Sequence, residues 1–564
     1  LADPADPPRA LDRYRDGAAH DRGYPDLHEH VLALWRANLL VVVDEPINKD
    51  TEMHPLVRWQ FRGGIPEPDR KAFLFTQPTD SKGRRYDAAV LVAGLAANRE
   101  VYRIGFGQPL DRIGNAWVAA IASPVAPQVV AQAPCHDIVV AGDDLDRPGQ
   151  GLDGLPVPIS TPGWDNAPYL SAGHYITKDP DSGIQNVGNY RGQLKTPRRL
   201  GMNPSVELRA GIYAHWLKYK ARGEKMPCCV VVGCPPAVSY ASVQKMPENL
   251  DEVAVAGAIA GAPIRVVKAR TVDLMVPAEA EIVIEGFIDT QYLEPEAPFG
   301  ESHGYVNLQE YNAFMDVTAI TRRRNPILTS FISQVTPSES SVIRKVAMEP
   351  VFFHHLAATL GIRGVKRVGM HEPLTSLYAV IAIQFARGTP ESEIWRALNG
   401  AASLHRFAGK WIIAVDEDID PDNADAVFWA MSYRCQPQHD LHVVPHKDPG
   451  HGPRGPRDGG EGASVLINAT LKGTFAPVAL PKREFMEHAR AIWERLGLPP
   501  LKPEAPWHGY DLGFWPQELE QQARMATDSD YFSLGANLAN ERRSDVAMNT
   551  PVERTAMKEK GAEK

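Results

Sequence analysis

Two glutamates, Glu296 and Glu301, stand five positions apart around Pro298-Phe299-Gly300 in the stretch from Pro295 to Tyr305. Carboxyls held close together perturb each other, so that one keeps its proton near neutral pH while the other stays ionised. That is the working state of a general acid beside a charged orienting group. By spacing alone, a solvated acidic loop with a capping role accounts for the pair equally well. A second stretch, Asn186-Val187-Gly188-Asn189-Tyr190-Arg191-Gly192-Gln193, sets an amide and a guanidinium five apart in an extended segment broken by glycine. An arginine held this way can take a carboxylate through two parallel hydrogen bonds.

The elements around these residues can be read from periodicity. The run Glu281 to Ile288 alternates apolar and polar residues as a half-buried strand does, so the glutamate pair is expected to leave a sheet edge as a tight turn. From Cys135 onward, short apolar runs are separated by Pro, Gly and Asp, a rhythm that suits a β-rich, barrel-like domain. One helix interrupts it, with Ser205 as its cap, Leu208, Ile212 and Trp216 on one face and Gly223 at its end. The Ala and Gly run after Glu252 lets a backbone approach a ligand closely.

Together the two chemical stretches resemble the signature of the UbiD-type decarboxylases, enzymes that use prenylated flavin mononucleotide (prenylated FMN). In that family an Asn-x4-Arg segment and a Glu-x4-Glu segment in a "PEGPFGE-HGY" context provide a catalytic Arg-Glu-Glu trio. Here Arg191, Glu296 and Glu301 stand at the matching places, with Ala297 where the family often has Gly. The resemblance continues through "GAPIRVVKARTVDLMVPAEAEIVIEG", "DEDIDPDNADAVFWAMSYR" and "LPKREFMEHARAIW", and covers roughly residues 25 to 515.

The resemblance implies a reversible, non-oxidative decarboxylation through a covalent prenylated-FMN adduct. The substrate is expected to be an aromatic, heteroaromatic or α,β-unsaturated carboxylic acid, with aryl-CoA thioesters within the family's range. Arg191 and Glu296 would orient substrate and cofactor, and Glu301 would donate the proton. Cofactor contacts are expected from Asn186, Tyr190, Arg191, Arg209, Ser242, Gln244 and Glu252, with Mn2+ or Mg2+ on Asn186 and Glu252 and K+ as a further candidate cation. The family's divalent site also uses a His, whose place here falls at or near Arg209; Glu207 is the alternative ligand and His215 lies about two helical turns on. Arg209 is expected to brace the flavin phosphate instead. His303 is read as orienting the turn. The implied partners are a small carboxylic acid, a prenyl-flavin synthase that supplies the cofactor, and further copies of the chain in a dimer or hexamer. Two other classes remain: a split-barrel flavin oxidoreductase, which would not explain the acid pair and Arg191, and a non-catalytic subunit of a multicomponent carboxylase, which would be expected to lose the trio.

Composition sets the outer limits. A chain of 564 residues is too long for one core and calls for two or three domains. The expected class is mixed α/β and α+β: an N-terminal α/β domain over 1–125, a central split β-barrel that binds the flavin over 126–335, a linker helix and C-terminal α/β domain over 336–500, and a C-terminal arm over 501–564. With 60 Lys and Arg against 69 Asp and Glu, the net charge of -9 does not favour a phosphate backbone, so nucleic acid is not an expected partner. Five cysteines without a CxxC motif read as reduced thiols. Apolar runs such as Val253 to Ile264 fall short of the ~18 residues of a membrane span, so a soluble, cytoplasmic protein is expected.

The remaining stretches read as structure. Residues 1–24 are expected to lie over the surface, Gly105 and Gly107 to mark a plain turn, and residues 340–360 to form one long helix whose His354-His355 pair belongs to a packed face. The acidic run Asp416 to Asp420 reads as a turn, and His439, His442, His446 and His451 as a loop rather than a zinc site. Arg483 to Leu496 reads as an amphipathic helix with Met486, Ala489, Trp493 and Leu496 inward.

Overall fold

The computed structural model describes residues 8–15, 22–206, 210–244, 246, 250–372, 378–406, 408–448, 461–473, 475–501 and 513–552. At its centre six strands, Tyr169–Lys178, Gln185–Thr196, Arg199–Met202, Met226–Val232, Ile282–Ile288 and Glu310–Arg322, pair antiparallel and close on themselves. Closure removes the sheet edge. The strand Ile282–Ile288 is therefore not the half-solvated edge that its alternation suggests, because it pairs with Met226–Val232 on one side and Glu310–Arg322 on the other. Its polar positions are buried and satisfied. Glu285 accepts the backbone N–H groups of Arg270 and Thr271 at 2.9 and 2.6 Å, and Glu281, just before the strand, accepts from Arg323 at 3.0 Å and from the Ile327 N–H at 2.9 Å.

On one side of the barrel lies a four-stranded sheet in the order Leu40–Asn48, Ala72–Thr79, Ala89–Val92, Ile327–Ser330. Its last strand arrives from beyond the barrel, so the N-terminal layer is completed by chain more than 200 residues downstream. One apolar core runs through both, from Leu74 and Phe75 to Val230, Ile284 and Met315. Arg9–Tyr14 belongs to this core through Leu11 and Tyr14, which corrects the expectation of a surface segment. Gly107 ends the helix Arg99–Phe106 in a left-handed cap instead of forming a free turn.

The helix expected to start at Ser205 begins at Gly211 and runs to Arg222, where Gly223 closes it at φ +71°. Ser205 has φ +49° and its N–H is held by Asn203 at 2.8 Å, a local turn that competes with capping. Leu208 lies outside the described residues. The long linker is a helix Glu339–His354 that runs on into a π-turn, His355–Thr359. It leads to a five-stranded mixed sheet in the order Val365–Met370, Val380–Phe385, Trp411–Asp416, Gly462–Ala469, Leu441–Lys447.

His354 is exposed and not packed. Asp416 and Asp418 are both taken by the buried Arg434, at 2.9 and 2.6 Å. His442 stacks on Trp395 and His446 pairs with Glu461, while His451 lies outside the described residues. The arm helices Arg483–Arg495, Gln517–Thr527 and Tyr531–Ala539 bury no residue. Met486 and Trp493 are only half-buried, and Ala489 and Leu496 are exposed, so the expected inward face has no core beneath it among the described residues. All five cysteines are free thiols. Among the described residues, no helix is long and apolar enough to cross a membrane.

Glu339 ties three layers together, accepting the Leu95 N–H at 2.8 Å and those of Ala96 and Ile332 at 3.3 Å. Burial raises its carboxyl from the ordinary 4.5 to about 7, against the opposing pull of those N–H groups. The folded protein thus holds this proton more tightly than the unfolded chain. The resulting stabilisation is full below about 4.5 and is lost as pH rises through about 7. The unfolding free energy from urea titrations should therefore fall over that window by an amount on the order of a few kcal/mol, and Glu339→Gln should flatten the slope. Equal slopes for both proteins would refute the assignment.

Candidate active site

Glu296 ends the short strand Glu294–Glu296, which is zipped to Glu310–Asn312 at the far end of the last barrel strand. The chain then bends through Ala297 and Pro298, and Phe299–Gly300 pairs with Val306–Asn307. Ala297 has φ +81°, a conformation that costs an L-residue roughly 1–2 kcal/mol and that Gly would adopt freely.

Arg191 reaches this bend from the barrel strand Gln185–Thr196. Its Nε donates to Glu296 Oε1 at 2.9 Å and its Nη2 to Glu296 Oε2 at 2.6 Å, while Nη1 donates to Glu301 Oε1. The guanidinium lies 5.4 Å from the centroid of the Phe299 ring. The three residues singled out for chemistry therefore form one ion cluster, with the arginine between the acids. Burial disfavours the arginine's charge, but the Glu296 hydrogen bonds and the charges of Glu301 and Glu296 outweigh it and lift its pKa further. The two acids differ in access: the Glu296 side chain is 0% exposed and that of Glu301 17%. Glu301 is the partly exposed member of the pair.

Several supports carry no fixed sequence spacing and escaped the reading of the motifs. Asn312 donates to Glu296 Oε2 at 3.2 Å. Tyr169 accepts the Ala297 N–H at 3.1 Å, and its ring lies 4.4 Å from that of Phe299. His303 turns inward on its own loop, taking the Tyr305 N–H at 3.2 Å and meeting Asn307 at 3.3 Å, an orienting role.

The expected cofactor residues fall into two groups. Asn186 donates to Glu252 Oε1 at 2.8 Å, and Glu252 Oε2 takes the Val187 N–H at 2.8 Å. Burial raises the Glu252 carboxyl to about 7. Asn186 Oδ1 is buried without a hydrogen-bond partner. Gly211, the first residue of a helix without a side-chain cap, packs on this amide so closely that an added Cβ would meet Oδ1 at 2.8 Å. A carboxylate and an orphaned amide oxygen beside a helix N-terminus suit a hard cation next to a phosphate. Tyr190, on the same strand, packs edge-on against Tyr175 at 5.8 Å.

Ser242 and Gln244 point elsewhere. The Ser242 hydroxyl bonds His174 Nδ1 at 2.8 Å and donates to the Ser239 carbonyl at 2.8 Å, and Gln244 reaches Met348 Sδ at 3.5 Å. His215 bonds Thr177 Oγ1 at 2.9 Å, on the strand position opposite Asn186. Glu207 and Arg209 lie outside the described residues. An open cleft of about 390 Å³, lined by Lys49, Asp80 and Asn166 among others, includes none of the trio.

The comparisons with known proteins agree with this geometry. The model described as the 3-octaprenyl-4-hydroxybenzoate carboxy-lyase Rift-related domain matches residues 128–335, and that of the C-terminal domain of the same carboxy-lyase matches residues 342–469. The UbiD-class enzyme HmfF from Pelotomaculum thermopropionicum, solved with FMN, shares 27% identity at a TM-score of 0.70, over 82% of this chain and 96% of that one. An evolved dimeric form of HmfF with prFMN shares 27% at 0.69, over 81% and 97%. The vanillic acid decarboxylase of Sedimentibacter hydroxybenzoicus shares the fold at 22% identity and a TM-score of 0.68, over 84% and 99%. With both halves of the family's signature matched and its ion cluster assembled at the barrel's end, this chain belongs to the UbiD family of prenylated-FMN-dependent carboxy-lyases.

Proposed function

We propose that the protein removes CO2 from an aromatic or heteroaromatic carboxylic acid, with Arg191, Glu296 and Glu301 as its catalytic residues. The observation that carries the reading is the division of labour in the cluster: Glu296 takes the Nε/Nη2 edge of the guanidinium and leaves Nη1 for Glu301. A substrate carboxylate that takes the Nη1 hydrogen bond displaces Glu301 from its cation. Without that cation, Glu301 holds a proton more readily and can deliver it to the carbon that loses CO2. Glu296, fully buried and hydrogen-bonded by Arg191 and Asn312, stays in place throughout. Prenylated FMN, when bound in the central unit assigned to 126–335, supplies the electron sink that no side chain of this chain can provide.

Asn186 and Glu252 would hold Mn2+ or Mg2+ beside the flavin phosphate, through the orphaned Oδ1 and the carboxylate. Protein reconstituted in Mn2+ should carry close to one ion per chain, and Asn186→Ala should lose most of it. Flavin retained with no metal in either protein would show that protein groups alone hold the phosphate, with Arg209 the foremost candidate. The uncovered apolar residues of the arm, Phe485, Leu496 and Phe532 among them, support a homo-oligomer. A non-catalytic subunit is the weaker reading, because the chain keeps all three residues and brings them into hydrogen-bond contact.

Co-expression with a prenyl-flavin synthase, followed by a screen of aromatic and heteroaromatic acids for loss of CO2, tests the function. Turnover without nicotinamide consumption, and deuterium uptake by the product in D2O, are the expected results. Nicotinamide oxidation, or full activity with unmodified flavin, would overturn the proposal.

A further inference from the structure

Besides its pairing with Val306–Asn307, the bend between the two glutamates is held by a short segment, Thr161–Tyr169. Asp165 Oδ1 accepts the Gly300 N–H at 3.2 Å. Asn166 Nδ2 donates to the Ala297 carbonyl at 3.0 Å, and its own oxygen is fixed by Gln193 Nε2 at 2.7 Å. Tyr169 takes the Ala297 N–H from the other side at 3.1 Å. The segment is itself a tight turn, with the Trp164 and Asp165 N–H groups both on the Thr161 carbonyl at 3.0 and 3.1 Å. Thr161 returns its own N–H to Asp165 Oδ2 at 2.7 Å and its hydroxyl to Oδ1. Every bond from this segment to the bend goes to the backbone of Ala297 or Gly300, the residues that flank Glu296 and Glu301 on the inner side. Packing repeats the message, because a Cβ on Gly300 would come within 3.0 Å of Thr161 and Gln334.

We propose that Asp165 is a positioning residue for the proton-donating step: it fixes Glu301 through the Gly300 N–H, while Asn166 and Tyr169 hold the Glu296 side of the bend. Glu301 accepts a hydrogen bond from Arg191 Nη1 and follows directly on Gly300, so the Gly300 backbone sets where its carboxylate starts. A carboxylate at Asp165 suits this task because it takes the Thr161 and Gly300 donors together without a proton of its own to misplace. Catalytic groups displaced by about 1 Å lose rate far more than affinity. The inference rests on Glu301 being the donor, so its test reads the bend as well as the reaction.

In holoenzyme, Asp165→Ala should lower kcat by ~10-fold or more with KM within a few-fold and flavin content unchanged, and Asp165→Asn, which keeps one acceptor oxygen, should recover most of the loss. Hydrogen exchange in the peptide spanning Gly300 to Gly304 should quicken ~10-fold or more in Asp165→Ala, since the Gly300 N–H loses its acceptor. Gly300→Ala, which forces the bend off Thr161 with Asp165 intact, is the second variant should Asp165→Ala not fold, and it should show the same two changes. Unaltered exchange and kcat in a folded variant would overturn the proposal. So would a joint loss of kcat, KM and flavin without rescue by Asp165→Asn, which marks a structural role only. If the wild type decarboxylates no acid, the functional reading fails, and the exchange result still decides whether Asp165 holds the bend.

Discussion

Replacing Glu301 by Gln is expected to leave the fold and flavin binding intact and to cut turnover by ~10²-fold or more, the usual scale for removal of a general acid. The substitution keeps the shape and an oxygen for Arg191 Nη1, and removes only the transferable proton. Stability should change little, because the side chain is 17% exposed and its hydrogen bond can be kept. Glu296→Gln should behave differently. It lies on two charged hydrogen bonds in a fully buried place, so it should cost stability as well as rate. Single-turnover measurements on both variants separate the roles. Product formation at the wild-type rate by Glu301→Gln would remove it as donor and make Glu296 the leading candidate.

The second large effect is expected at Arg191. Arg191→Met takes the cation away from a carboxylate that is 0% exposed, and breaking a buried pair in this way costs ~3–5 kcal/mol. Denaturant unfolding should show that loss. The double variant Arg191→Met with Glu296→Gln should recover part of it, because a neutral amide needs no counter-charge. Turnover should fall by ~10²-fold or more in either protein. Arg191→Lys should restore stability better than turnover, since an ammonium replaces the charge but not the fork that engages Nε, Nη1 and Nη2 on two acids. A single Arg191→Met variant as stable as wild type would mean that the ion cluster contributes nothing to the fold.

The sequence by itself determined which groups could do chemistry. Five-residue spacing around a Pro-Phe-Gly bend, and an Asn-x4-Arg segment, are local patterns, and local patterns are what a linear chain displays. Asn186 and Glu252 were named from the resemblance, and the structure places them in hydrogen-bond contact at 2.8 Å. Ser242 and Gln244 were named on the same ground, yet both side chains bond away from that pair.

What the tertiary structure decided is which distant residues meet. The Arg191 contacts span 105 and 110 residues, and the bonds from Asn166 and Asp165 to the bend span 131 and 135. No periodicity carries such distances. The polar positions at Glu281 and Glu285 looked like a solvated face because alternation reports only that successive side chains point to opposite sides. Barrel closure, set by pairing registers between strands far apart in sequence, puts both sides indoors and leaves those carboxylates to be met by backbone N–H groups and Arg323. The same long-range pairing hands Ile327–Ser330 to the N-terminal sheet. The amphipathic arm shows the converse limit: its pattern fixes which face is apolar, but no core covers that face among the described residues.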